Sequence, residues 1–216
     1  MASGGAISEV INKAGDEKTS IEELIELAKH PYFAVRESVA DNKNFGKLPI
    51  EVQEALIKEN PDVAQNREVC MAAARNSGLS ESMYELAAHN KSAMVRAAFA
   101  SNETKSEKFL PFLMELLLDP NQDVRLAAVH NKRIEELDLA DYRFVELIKQ
   151  ENNMAFLIGL SKHKLPEKLF EILSSKSISE VKKGNMELKN TLLANPSLPA
   201  SLKGQILQAG KRKLRI

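Results

Sequence analysis

The residues able to do chemistry are few, and their spacing restricts what they could do. His30, His89, His130 and His163 offer imidazole nitrogens to a metal. A two-histidine helical site needs them at i and i+4 on one face, and no pair is spaced that way. His130 and His163 fall at comparable positions of successive segments, but two ligands fall short of a zinc site. All four stand near expected helix ends, where the helix dipole favours positive charge. Cys70 is the single cysteine, which excludes an intramolecular disulfide and a cysteine-only metal cage within this sequence. Set among Val69, Met71 and Ala72, it reads as a small buried hydrophobe. No nucleophile stands beside a base and an orienting group, and no glycine-rich phosphate loop occurs. Glu22-Glu23 and Glu135-Glu136 read as solvated helix faces. No catalytic residue, metal or cofactor is expected, and the chain is read as a non-enzyme.

Two further residue types recur in register. Arginine appears in Val35-Arg36-Glu37-Ser38-Val39-Ala40-Asp41-Asn42, Val95-Arg96-Ala97-Ala98-Phe99-Ala100-Ser101-Asn102 and Val124-Arg125-Leu126-Ala127-Ala128-Val129-His130-Asn131. Val69-Cys70-Met71-Ala72-Ala73-Ala74-Arg75-Asn76 is a fourth copy with Cys70 in the arginine position. Degenerate copies run from Phe156 to His163 and from Leu188 to Asn195, with Leu157 and Lys189 in that position. The closing residues are separated by 34, 26, 29, 32 and 32 positions, a period that suits paired helices joined by variable loops.

The elements that must hold these rows are helices. Within each copy the apolar and small residues fall at i, i+3 and i+4, the period of one helix face. After each copy comes a break, often ending in Leu-Pro (Leu48-Pro49, Leu165-Pro166, Leu198-Pro199), and proline suits the first helical position. Thr104 with Glu107 and Ser20 with Glu23 have the spacing of capping boxes. Second helices are expected over Ile21–Lys29, Ile50–Glu59, Glu81–His89, Lys105–Leu118, Leu139–Gln150, Glu167–Ser174 and Ala200–Gln208. His30-Pro31, Asn60-Pro61 and Asp119-Pro120 close several of them. No stretch alternates with period two, so no sheet is expected. The reading is a single helical-repeat domain over 1–216, with repeats at about 20–208 and flexible ends at 1–6 and 211–216.

At these residues the sequence resembles the leucine-rich repeat variant family, a branch of the HEAT-like helical repeats. The likeness lies in the Val-Arg-x-x-Val-Ala-x-Asn helix, the Leu-Pro step, the leucine-rich helix and the closing Asp/Asn-Pro. The resemblance implies a right-handed α-solenoid of about six helix pairs, with a concave face for binding. The repeats here are longer than the family's usual unit, and the fifth copy lacks both the arginine and the asparagine. With one cysteine, the iron–sulfur segment associated with the family is not expected.

Composition narrows the partners. Hydrophobic residues make up 44% and charged residues 28%, as in a folded globular chain. Lys+Arg and Asp+Glu are 30 each, whereas a phosphate-tracking protein usually carries excess cations. The basic run Lys211-Arg212-Lys213-Leu214-Arg215 is short and contains no aromatic residue. Apolar runs such as Leu116-Leu117-Leu118 are too short to span a bilayer. Met1 to Ala6 lacks the features of a signal peptide, so a cytoplasmic location is expected.

The arginine row (Arg36, Arg96, Arg125) supports two readings: a cationic stripe for an acidic ligand, or a structural ladder to neighbouring repeats. The ladder is preferred. The asparagine row (Asn42, Asn76, Asn102, Asn131, Asn195) is likewise read as structural, since asparagine tolerates the left-handed backbone at helix ends. The expected function is binding an extended peptide or protein on a face of the second helices. Its candidate residues are Glu54, Lys58, Glu81, Glu85, Lys108, Arg143, Lys149, Lys168 and Lys203. The alternative is a DNA-binding or repair protein of the HEAT-like alkylpurine glycosylase type. The absence of tryptophan and the 5% aromatic content disfavour it, because an extruded base needs ring walls.

Overall fold

A computed structural model describes residues 4–211, with side chains over 5–209. The expectations for 1–3 and for the basic run from Arg212 onward lie outside the described residues. Among the described residues there are fourteen α-helices and no strand. The chain divides into two compact units, Met1–Asn131 and Lys132–Ile216.

The first unit contains α1 (Gly4–Gly15), α2 (Ile21–Leu27), α3 (Phe33–Asp41), α4 (Ile50–Ile57), α5 (Ala64–Arg75), α6 (Tyr84–Ala88), α7 (Ala93–Ala100), α8 (Leu110–Leu117) and α9 (Gln122–Val129). The helices that carry the repeated motif pack in series: α1 on α3, α3 on α5, α5 on α7, α7 on α9. Each buries the apolar positions of its copy, such as Val35, Val39 and Ala40 on α3, or Val95, Phe99 and Ala100 on α7. The small residues let adjacent backbones approach. The second helices lie against this row, with α4 on α5, α6 on α7 and α8 on α9.

A ring cluster ties these layers together. Tyr84 of α6 lies 5.4 Å from Phe99 of α7, which meets Phe109 edge-on at 5.1 Å. The Tyr84 hydroxyl is 3.0 Å from Thr104 Oγ1, so its polar end is satisfied in the core.

The second unit holds α10 (Tyr142–Gln150), α11 (Met154–Leu160), α12 (Glu167–Lys182), α13 (Glu187–Ala194) and α14 (Ala200–Lys211). Helices α10, α13 and α14 all pack on α12, and α11 packs on α13.

Helix starts follow local chemistry. Ser20 and Glu23 form the reciprocal capping box. The expected box at Thr104 and Glu107 is not formed. Ser106 is the N-cap there, accepting from Lys108 N at 3.2 Å. Thr104 instead donates its N–H to Asn102 Oδ1 at 2.8 Å. Two other differences have clear causes. Helix α12 continues beyond Ser174 to Lys182, because Ser177 is buried with its hydroxyl donating to Ser174 O at 2.8 Å, and Val181 is buried beyond it. It closes at Gly184, whose φ of 92° suits glycine. Helix α1, absent from the expected set, is a further motif helix. Its sequence keeps only Ala14 of the motif's buried positions, so the repeat does not disclose it, although Ile7, Val10, Ile11 and Ala14 at i, i+3, i+4 and i+7 carry the period of one helix face.

Candidate functional site

The arginine row is held by the fold. Arg36 donates from Nε and Nη2 to the two carboxylate oxygens of Glu59, at 2.6 and 2.9 Å. Its Nη1 donates to the carbonyls of His30 and Pro31, at 2.8 and 3.1 Å. Arg96 repeats this pattern with Asp119, at 2.7 and 3.0 Å, and with the carbonyls of Asn90 and Lys91. Arg125 donates to the carbonyls of Asp119 and Pro120, at 2.8 and 3.1 Å. Each side chain thus clamps the turn before its own helix. For Arg36 and Arg96 it also grips a carboxylate 23 residues ahead, just beyond the end of a second helix. The bidentate partner pushes both guanidinium pKa values further up. With side chains only 15% and 16% exposed, Arg36 and Arg96 present little cationic surface to a phosphate backbone. In the second copy, the Cys70 thiol takes the carbonyl of Glu59 at 3.3 Å, and burial pushes its pKa to about 12.

The asparagines form a second ladder. Asn76 Nδ2 donates to the carbonyls of Ala40 and Asn42, at 2.8 and 3.0 Å. Asn102 takes Ala74 and Asn76, and Asn131 takes Ala100 and Asn102. Asn42 takes Ala14 and Asp16, which places α1 in the series as a motif helix with Asp16 at its asparagine position. The Oδ1 atoms of Asn42, Asn76, Asn102 and Asn195 each accept the N–H two residues on, at 2.8 Å. The backbone at these positions departs from the expected left-handed form. Asn42, Asn76 and Asn195 are extended, with φ of −64°, −67° and −73°. Asparagine is used here for an amide that donates across the repeat and accepts along the chain.

The histidines are spread along the fold. His30 Nδ1 accepts Tyr32 N at 3.1 Å, and His130 Nδ1 lies 2.8 Å from Leu126 O. His89 Nε2 lies 3.2 Å from Glu115, and His163 Nδ1 lies 3.5 Å from Glu135. No group of three or more His, Cys, Asp or Glu side chains able to hold a metal occurs among the described residues.

The nine candidate binding residues on the second helices are spread over both units, and most are charge-paired locally. Glu54 pairs with Lys58, Arg143 with Asp141, Lys149 with Glu146 and Lys168 with Glu171. Glu81 meets Lys108 at 2.7 Å, and both Glu85 and Lys203 are exposed.

A concave site lies elsewhere, on the motif helices of the first unit. A groove of about 510 Å³ runs over α5, α7 and α9, with Met71, Met94, Ala97, Ala98 and Ala127 as its apolar floor. Arg75, Asn121 and Asp123 stand at its edges. Met94 is an exposed large apolar side chain at 47%. The floor exists because these copies carry small residues and methionine on the face toward the groove: Met71 and Ala97 are equivalent, as are Ala98 and Ala127, whereas Ala72, at the position of Ala98, is buried. Copy one carries Glu37 and Ser38 there, so the apolar floor gives way to acid at α3. The repeats themselves carried this signal, in the variation at outward positions rather than in the invariant rows. The second unit has a more polar hollow of about 500 Å³ that includes Met154, Leu157, Lys176 and Glu180. Its Lys176 is committed to Glu151 O at 2.8 Å.

Residues 109–131 match the family model of the HEAT repeat. The match runs from Phe109 through α8, the Asp119-Pro120 turn and α9 to Asn131, so it contains both Arg125 and the asparagine that closes the copy. No curated protein and no solved structure matches the chain. The chain is therefore an all-helical protein containing a HEAT-like repeat. HEAT repeats commonly mediate protein–protein interaction and are typically non-enzymatic. No described helix is long and apolar enough to cross a membrane.

Proposed function

We propose that this chain is a non-enzymatic protein-binding module whose site is the groove over α5, α7 and α9. The motif helices of the first unit are read as the inner row of an α-solenoid, right-handed by likeness to the leucine-rich repeat variant repeats. The observation that carries the proposal is the apolar floor of Met71, Met94, Ala97, Ala98 and Ala127 within a concave, polar-edged groove. An apolar centre with a polar rim is the anatomy of a protein-recognition site, and methionine adapts to varied partner side chains. On this reading the partner binds the motif helices rather than the second helices, where most candidate charges are paired nearby. Arg36 and Arg96, which a phosphate stripe would need, are occupied with carboxylates and carbonyls, so the DNA-repair alternative gains no support.

The test compares the wild-type chain with Ala98→Arg, which fills the groove from a half-buried helical position. Both are checked for helicity by circular dichroism and used to retain proteins from extract of the native host, identified by mass spectrometry. Partners retained by the wild type and lost by the variant are expected. Identical retention by both proteins would overturn the proposal, as would tight, salt-sensitive binding of duplex DNA in a mobility assay.

A further inference from the structure

Resting on the reading of this groove as a protein-binding site, we infer that its occupant is a basic segment of a partner protein. An apolar side chain of that segment sits on Met71, Met94 and Ala98, and a neighbouring lysine or arginine reaches Glu37 and Glu68.

The placement follows from helical register. Glu68, Met71 and Arg75 stand at i, i+3 and i+7 on one face of α5, and Glu37 and Asp41 stand at i and i+4 on the adjoining α3. The cation at this edge of the groove is already committed: Arg75 Nη2 donates to both oxygens of Asp41, at 3.0 and 3.2 Å. Neither the Glu37 nor the Glu68 carboxylate has a hydrogen-bonded or ion-paired partner among the described residues. At the opposite edge, the exposed carboxylate of Asp123 on α9 is also without one. The lining thus ends at Asp123 on one side and at Met71 and Arg75 on the other, where register puts the Glu68 and Glu37 carboxylates just beyond it. Glu37 shows the effect of these charges: its partial burial, with Asp41 and Glu68 nearby, pushes its carboxyl pKa up, and the nearby Arg75, itself bound to Asp41, opposes this only in part. A cation arriving with the partner relieves that repulsion, and complementary charge also speeds encounter and sets register. An acidic segment would add to the repulsion.

The probe is a display library of short peptides with a fixed central leucine and randomised flanks, selected on the wild-type chain. The expected outcome is enrichment of lysine and arginine beside the leucine. The enriched peptides should bind the Glu37→Lys/Glu68→Lys variant at least about tenfold more weakly, roughly 1.4 kcal/mol, and should not bind Ala98→Arg. The milder Glu37→Gln/Glu68→Gln pair, with helicity and melting checked, covers the case in which charge reversal unfolds the protein. Peptides that Ala98→Arg rejects but that show no cationic preference overturn the basic-segment inference and leave the groove reading standing. Peptides that bind Ala98→Arg as well as wild type, or no enrichment at all, overturn both.

Discussion

The side-chain amide of Asn195 donates to the carbonyls of Ser161 and His163, 2.8 Å from each. These are the equivalents of Ala40 and Asn42, the two carbonyls held by Asn76. His163 therefore stands where the fifth copy would carry its asparagine. A copy that has lost its own amide is still gripped by the amide of the next one, because that amide reads only backbone. The degenerate repeat keeps its place through a contact that does not depend on its side chains.

This bond pattern sets the effect of removing an amide. Asn102 is fully buried, and its Nδ2 holds the carbonyls of Ala74 and Asn76. Asn102→Ala leaves both without that donor and should cost about 3 kcal/mol. Asn102→Asp should cost more, since a carboxylate cannot donate and would face two carbonyls. Urea unfolding followed by far-UV circular dichroism measures both; equal stability of wild type and Asn102→Asp would show that the ladder is not energetically used.

The arginine clamp predicts a dependence on shape as well as charge. Arg96 engages Asp119 through two nitrogens while a third holds two carbonyls. A lysine keeps the charge but loses the planar fork, so Arg96→Lys should destabilise by about 1–3 kcal/mol. Arg96→Ala should cost more, because Asp119 is 8% exposed and would be left without its bidentate partner. A thermodynamic cycle with Asp119→Asn is the check: the two substitutions should be far from additive.

Close backbone approach predicts a third effect. A Cβ added to Gly46 would collide with the backbone carbonyl of Gly78 in the next inter-repeat turn, and backbone has little freedom to give. Gly46→Ala should therefore destabilise by about 1–3 kcal/mol, despite alanine's lower chain entropy in the unfolded state. Gly15→Ala, where a Cβ meets nothing within 4 Å, is the matched control and should be close to neutral.

Glu37 gives a pH-dependent prediction with a definite sign. Its carboxyl pKa is raised by burial first, then by Asp41 and Glu68, with Arg75 opposing as the smallest of the four effects, so the fold favours the protonated form. The associated stability is present below the carboxylate range and is lost as pH rises through the raised pKa. At neutral pH the charged group is a liability, and Glu37→Gln should stabilise by a few tenths of a kcal/mol, about 0.5 at most after solvent screening. The gain should vanish in acid. Melting temperatures of both proteins across that range test it, and a gain that grows toward low pH would contradict it.

Much of this architecture is legible in the chain. The positions of Val35, Val39, Val95 and Phe99 announce a buried helix face, and Pro31, Pro61 and Pro120 mark the turns. The arginines and asparagines announce themselves by recurring. Helix α1 is hidden as a copy of the repeat because Glu9 to Asp16 shares little with the others, and it joins the row by packing on α3 and through the carbonyls that Asn42 reads. The groove was less legible because outward positions vary from copy to copy, and a single alanine such as Ala98 gives no sign of which neighbours border it.

Sequence by itself determined the helical class, the period near 30 residues and the two rows, because a helix face and a proline turn are set by residues a few positions apart. Tertiary structure alone decided that Glu59 and Asp119 hold the arginines, which carbonyls the asparagines take, and which outward faces meet to form a groove. Those pairings join residues 23 to 36 positions apart. At such separations local periodicity carries no information about the partner, and packing of one helix on the next supplies it.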